Sequence, residues 1–300
     1  LGQPDAWTPA RMAGVFLFVG RERPETSRHL LVEAFGHYLL RKLKKGAAMQ
    51  TSAEHPLFFC HGVPGGPDDA ALLEAGDRLV IAPNLFDFAT GDPVQNLLTV
   101  FDTACVEEGS DGMHVVGFSI GAMAALRLAA ARPQMVTKVT VISPAAPLQL
   151  GSFLPEMAGA PVFKLAMRHP TALRMLTAVQ GLLARKAPGI LIKQLFAKCG
   201  VQEQALMSDP QFLAALRAAM RNSFAEHRAG YLKCLSAYVA DWTEDLARVQ
   251  APVEIWHGDA DTWAPMAMSE AIREMIPSSC ALNIVAGGEH YSTLKAAQIV

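Results

Sequence analysis

The sequence has no CxxC pair, and it has no uninterrupted apolar run of the roughly 18 residues that a membrane span needs. Its five cysteines (Cys60, Cys105, Cys199, Cys234 and Cys280) are odd in number, widely spaced and set in mostly apolar surroundings. They indicate neither a disulfide framework nor a zinc site, and they predict reduced, buried thiols in a cytoplasmic protein. An excess of one charge is also missing. With 26 Lys and Arg against 28 Asp and Glu, the net charge is −2, so there is no electrostatic case for a nucleic-acid partner. No group of His, Cys, Asp or Glu has metal-ligand spacing, so no metal and no cofactor is expected. No internal repeat, low-complexity tract or signal peptide stands out in these residues, and Leu1 in place of a methionine suggests a trimmed chain or a fragment, which leaves a removed leader open.

What is present is apolar. Hydrophobic residues make up 51% of the 300 and charged residues 18%, enough for a sizeable core. Short runs rich in Val, Ile and Phe read as buried strands: "PLFFCHG", "RLVIAPN", "MHVVGFS", "KVTVISP", "PVEIWHG" and "ALNIVAGG". Segments of helical periodicity such as "NLLTVFDTACVEEG" lie between most of them. Continuous apolar strands alternating with helices predict an α/β fold, a mainly parallel, doubly wound sheet covered on both faces.

Three further regions complete the expected organisation. Residues 1–50 form an N-terminal segment with a strand at "FLFVG" and a helix over "PETSRHLLVEAFGHYLLRKLKK". The core occupies 51–147 and 241–300. Residues 148–240 contain no convincing strand and many Leu, Ala, Met and Phe at helical spacing, which predicts a helical insertion between two strands of one sheet. Ligands of doubly wound sheets bind outside the carboxyl ends of the strands, so an insertion there would cover the site.

The stretch "HVVGFSIGAMAALRLAAARP" passes from strand to helix with Ser119 between Gly117 and Gly121. By itself G-x-S-x-G is a weak pattern, and a small residue at a tight junction explains it equally well. Its place after a strand and before a helix is what a nucleophile elbow requires. A serine hydroxyl needs a base, and the base needs a carboxylate to hold its tautomer. "VEIWHGDADTWAP" puts Asp259 and Asp261 just past one strand, and "LNIVAGGEHYS" puts His290 past the next. Upstream, "FFCHGVPGGP" ends a strand in a loop whose Val63 N–H, with that of Ile120, can form an oxyanion hole. His61 in that loop reads as structural, its imidazole tying the loop to a neighbouring strand, and His257 reads as a strand-end residue.

Together these four loops, in this order, resemble the α/β-hydrolase fold superfamily from about Pro56 to the C-terminus. The resemblance implies a helical cap over the site and a Ser119–Asp261–His290 triad. It selects Asp261 over Asp259, because the family's acid usually stands three positions after the glycine, here Gly258. Serine in place of the aspartate used by dehalogenases and epoxide hydrolases favours acyl transfer. The resemblance therefore implies an esterase-like serine hydrolase acting on an ester, thioester or amide of a small, apolar molecule. Phe118 and Trp263 are candidates for the substrate pocket. The insertion's Phe153, Met157, Phe163, Met167 and Met175 either form an apolar chamber or simply bury helices against one another. Two other readings stay open: a hydrolase-like ligand-binding or regulatory module within a longer protein, and an acyltransferase using the same triad.

Overall fold

The computed structural model describes residues 10–12, 15–17, 55–87 and 91–299. The chain divides into two compact units, Leu1–Ala53 and Glu54–Val300. In the first, β1 (Ala10–Met12) pairs antiparallel with β2 (Val15–Leu17), which overlaps the "FLFVG" run. The helix expected over residues 24–45 lies outside the described residues.

In the second unit, six strands form one parallel sheet in the order β4–β3–β5–β6–β7–β8. They are β3 (Leu57–Cys60), β4 (Val80–Ile81), β5 (Met113–Phe118), β6 (Val136–Ile142), β7 (Val253–Gly258) and β8 (Cys280–Val285). Every residue of β3 and β5 is buried, as the continuous apolar runs require of central strands covered on both faces. Two helices link the first strands: α1 (Pro93–Glu108) joins β4 to β5, and α2 (Gly121–Ala131) joins β5 to β6 and packs on β3, β5 and β6.

The strand order reverses between β3 and β5. From β3 the chain moves outward to the edge strand β4, and from β5 it proceeds the other way through β6, β7 and β8. Such a switch point opens a crevice at the carboxyl ends of the two strands. The register sets Phe59 beside Val116 and Cys60 beside Gly117, so the loop after β3 emerges next to Ser119. His257 lies beside Ile284 and Gly258 beside Val285, which does the same for the loops carrying Asp261 and His290.

Between β6 and β7 the chain is helical. It forms α3 (Ala160–Arg168), α4 (Pro170–Lys186), α5 (Pro188–Leu195), α6 (Val201–Leu206), α7 (Pro210–Arg221), a π turn (Asn222–Glu226), α8 (Arg228–Val239) and the short α9 (Thr243–Leu246). Prolines punctuate this series. Pro170, Pro188 and Pro210 each begin a helix, where a missing N–H costs nothing and the fixed φ is already helical. Phe153, Met157 and Phe163 are buried. Met167 and Met175 are not, so the sequence expectation that they line a chamber or bury helices is corrected: both face solvent. Helical spacing marks a stripe, and which stripe is covered depends on the neighbouring helices. After β7, α10 (Met266–Met275) leads to β8, and α11 (His290–Ala296) follows it. No helix among the described residues is long and apolar enough to cross a membrane.

Candidate active site

Ser119 occupies the junction of β5 and α2 with φ of 56°, a left-handed conformation that non-glycine residues rarely adopt. Its backbone is held on both sides, by the Ser119 N–H to the Ile142 carbonyl at 3.0 Å and by the Ala122 and Ala145 N–H groups to its own carbonyl at 3.1 Å each. The turn is tight enough to demand its glycines. A Cβ on Gly121 would lie 2.2 Å from the Cys60 carbonyl oxygen, and one on Gly117 would lie 2.8 Å from the Ala122 Cα.

His290 opens α11 and reaches Asp261 in the loop after β7, with Nδ1 2.7 Å from Oδ2. The other oxygen, Oδ1, accepts the N–H groups of Trp263 at 2.8 Å and Ala264 at 3.0 Å. Burial alone would push the Asp261 carboxyl up. The neighbouring His290, by charge and by hydrogen bond, together with His257 and the Ala264 N–H, outweighs that penalty and holds it below the usual carboxylate range. An ionised Asp261 makes Nδ1 of His290 a donor and leaves Nε2 as an acceptor. The His290 ring, only 3% exposed, packs on Phe118 and Trp263, each with ring centroids 4.9 Å away. Since Phe118 precedes Ser119, this contact brings the Asp261–His290 pair to the elbow.

Asp259 is placed differently. It is exposed, and its Oδ1 accepts the Gly287 N–H at 2.7 Å, pinning the loop before His290. Phe118 is buried beneath the site rather than open to it. Trp263 is half-buried and packs between His290, Tyr291 and Phe196 of the insertion. His257 is a buried strand-end residue, with Nδ1 2.5 Å from the Ser269 hydroxyl and Nε2 2.8 Å from the Ala264 carbonyl.

The loop after β3 carries Val63. Among the described residues, no hydrogen bond takes up the Val63 or the Ile120 N–H. His61 fixes the loop's start: Nε2 accepts the Leu85 N–H at 2.9 Å, so Nδ1–H donates to the Gly62 carbonyl at 2.8 Å. Burial pushes the His61 imidazole down from 6.5 to about 4. Between those values the unfolded chain holds a proton on this ring that the folded chain refuses, so the stability that His61 contributes falls as pH drops from 6.5 to 4. His61 alone contributes about 3 kcal/mol to that loss. Urea unfolding of wild type and His61→Asn, compared from pH 7 to pH 4, isolates it from buried Asp69 and His114, which titrate in the same range; a difference between the two proteins that did not change with pH would remove the assignment.

Sequence reasoning missed the residues that hold this loop from a distance. Gly65 is gripped by the π turn, its N–H donating to the Ser223 hydroxyl at 3.0 Å and its carbonyl accepting from Asn222 Nδ2 at 2.9 Å. Asn222 is held in turn by Asn84, whose Nδ2 donates to Oδ1 at 2.8 Å. Asn222→Ala leaves the Gly65 carbonyl and the Asn84 amide without this partner, and should cost about 1–3 kcal/mol in a denaturant titration. The insertion also reaches His290. Glu289 accepts the N–H groups of Gly200 at 2.5 Å and Glu203 at 3.0 Å, while Glu203 accepts the Ser292 N–H at 2.8 Å. Thus α6 and α11 cap each other's first turns with carboxylates, where the helix N-terminus favours an anion. Burial pushes the Glu203 carboxyl up. Among the described residues, no group of three His, Cys, Asp or Glu is placed to hold a metal ion.

Residues 89–294 match the model of a protein family described as serine aminopeptidase, S33. No curated protein matches the sequence. Solved structures with the same fold are numerous. An α/β-hydrolase fold protein from Nakamurella multipartita is 20% identical, with 80% of this chain and 86% of that one aligned at a TM-score of 0.54. The enol-lactonase from Burkholderia xenovorans LB400 is 14% identical over 83% and 89% of the two chains, also at 0.54. A thermophilic esterase from Thermogutta terrifontis is 15% identical over 82% and 86%, again at 0.54. At these identities the likeness is one of fold.

Proposed function

The chain belongs to the serine aminopeptidase, S33 family of α/β-hydrolases, and on that premise we propose that it is a serine hydrolase working through an acyl-enzyme. The observation that carries this reading is the 2.7 Å Asp261–His290 pair packed on Phe118, the residue before a serine held at φ of 56°. The proposed substrate is a small ester, thioester or amide, with an ester favoured.

In the first half-reaction Ser119 Oγ attacks the substrate carbonyl carbon while His290 Nε2 takes its proton. The carbonyl oxygen becomes an oxyanion between the Val63 and Ile120 N–H groups, and the start of α2 adds its dipole. Imidazolium on His290 is stabilised by the ionised Asp261. The tetrahedral intermediate then collapses, and the proton passes from His290 to the leaving alkoxide, thiolate or amine. Water attacks the acyl-enzyme by the same route, with His290 as base, and releases the acid. The helical insertion serves as the cap: its Asn222 and Ser223 set the oxyanion loop through Gly65, and its α6 caps the helix that carries His290. Trp263, shared between His290 and the insertion, borders the acyl site.

A fluorophosphonate probe tests this directly. The expected result is a covalent adduct on Ser119, located by mass spectrometry and absent in Ser119→Ala. Folded wild-type protein that takes no label would leave a binding module without turnover as the better reading.

A further inference from the structure

Between Glu156 and Glu203 the sequence contains no Asp or Glu and seven Lys or Arg, in a chain whose net charge is −2. Most of this stretch forms α3, α4 and α5, with α4 packed against both α3 and α5. Helix α4 buries Leu173, Thr177, Gly181 and Ala184 and turns the opposite face outward. On that outer face Met175, Val179 and Leu182 are 69%, 58% and 57% exposed. Their spacing of four and three residues aligns them in one stripe. Leu176 beside them, Met167 on α3 and Ile190 on α5 are exposed as well. Outside this stretch, only Val106 and Ile284 are exposed large hydrophobics among the described residues.

The cations share these helices. Lys164, Arg168, Arg174, Arg185, Lys186 and Lys193 are all exposed. Among the described residues, no ion pair joins any of them to a carboxylate. A face that gathers apolar side chains within a field of one sign is unusual for a surface meant only for water. We propose that the outer face of α3–α5 docks on the surface of an anionic lipid bilayer. Met175, Val179, Leu182 and Ile190 enter the headgroup boundary, and the lysines and arginines meet the lipid phosphates. Charge complementarity selects this occupant. A second copy of the chain would bring the same unbalanced positive charge to the contact and be repelled. A nucleic acid would use the cations and leave the apolar stripe in water. Docking is independent of the chemistry at Ser119, because binding is read without turnover.

The test is flotation of the full chain with phosphatidylglycerol–phosphatidylcholine vesicles, compared with pure phosphatidylcholine. Wild type should float with the anionic vesicles at low ionic strength and be released by salt. Lys164→Gln, Lys186→Gln and Lys193→Gln combined should weaken binding about hundredfold, since each cation near the surface accounts for roughly fivefold. Val179→Ser with Leu182→Ser should weaken it without changing charge. Both variants change solvent-facing side chains, so circular dichroism and the melting temperature should match wild type. The proposal is overturned if wild type does not float with anionic vesicles, or if both variants bind as wild type does. It is equally overturned if light scattering finds a dimer that the double serine variant dissociates while vesicles capture nothing.

Discussion

Ser119→Ala should lower kcat on a short-chain ester by on the order of a million-fold while leaving the fold intact. Alanine keeps the Cβ and the backbone N–H that donates to the Ile142 carbonyl, so the turn at φ of 56° has the same supports. What disappears is the atom proposed to form the acyl-enzyme. The proposed oxyanion donors, the Val63 and Ile120 N–H groups, remain to polarise a carbonyl, so turnover should stay above that of water alone. The measurement is stopped-flow or burst kinetics with a chromogenic ester, alongside a melting curve for each protein. A variant of unchanged stability that retained even a tenth of the rate would move the nucleophile away from the elbow.

The second large effect separates two acids that stand only two residues apart. Asp261→Asn should reduce kcat by about 10⁴, whereas Asp259→Asn should change it only a few-fold. Oδ1 of Asp261 already accepts two backbone N–H groups, from Trp263 and Ala264. In the asparagine variant the carbonyl oxygen must stay at that position, which turns the side-chain NH₂ toward His290 Nδ1. A donor there forces Nδ1 to accept and puts the ring proton on Nε2, the atom that should be free to act as base. Asp259 makes no such contact, since its carboxylate serves the Gly287 N–H on the exposed side of the loop. Equal losses in the two variants would mean that loop placement, not the tautomer of His290, sets the rate.

The fold and the elbow were legible in the sequence because their signals are local. Strands buried on both faces must be apolar throughout, which "LFFC" and "MHVVGF" are, and a strand–helix turn whose Cβ positions collide with Cys60 and Ala122 must carry glycine. The order of Ser119, Asp261 and His290 along the chain is likewise plain, though the residues alone offered Asp259 as well. Tertiary structure decided what depends on partners far apart in the chain. It brought Asp261 to His290, clamped Gly65 with Asn222 and Ser223, and exchanged capping carboxylates between Glu203 and Glu289. Such contacts obey no period, and any polar residue in a helical stretch carries the same local signature whether it is buried or solvated. It also decided that Met175 meets solvent while Phe163 is buried. The hydrophobic pattern of a helix says how much apolar surface exists, and only packing against its neighbours says which part of it is hidden.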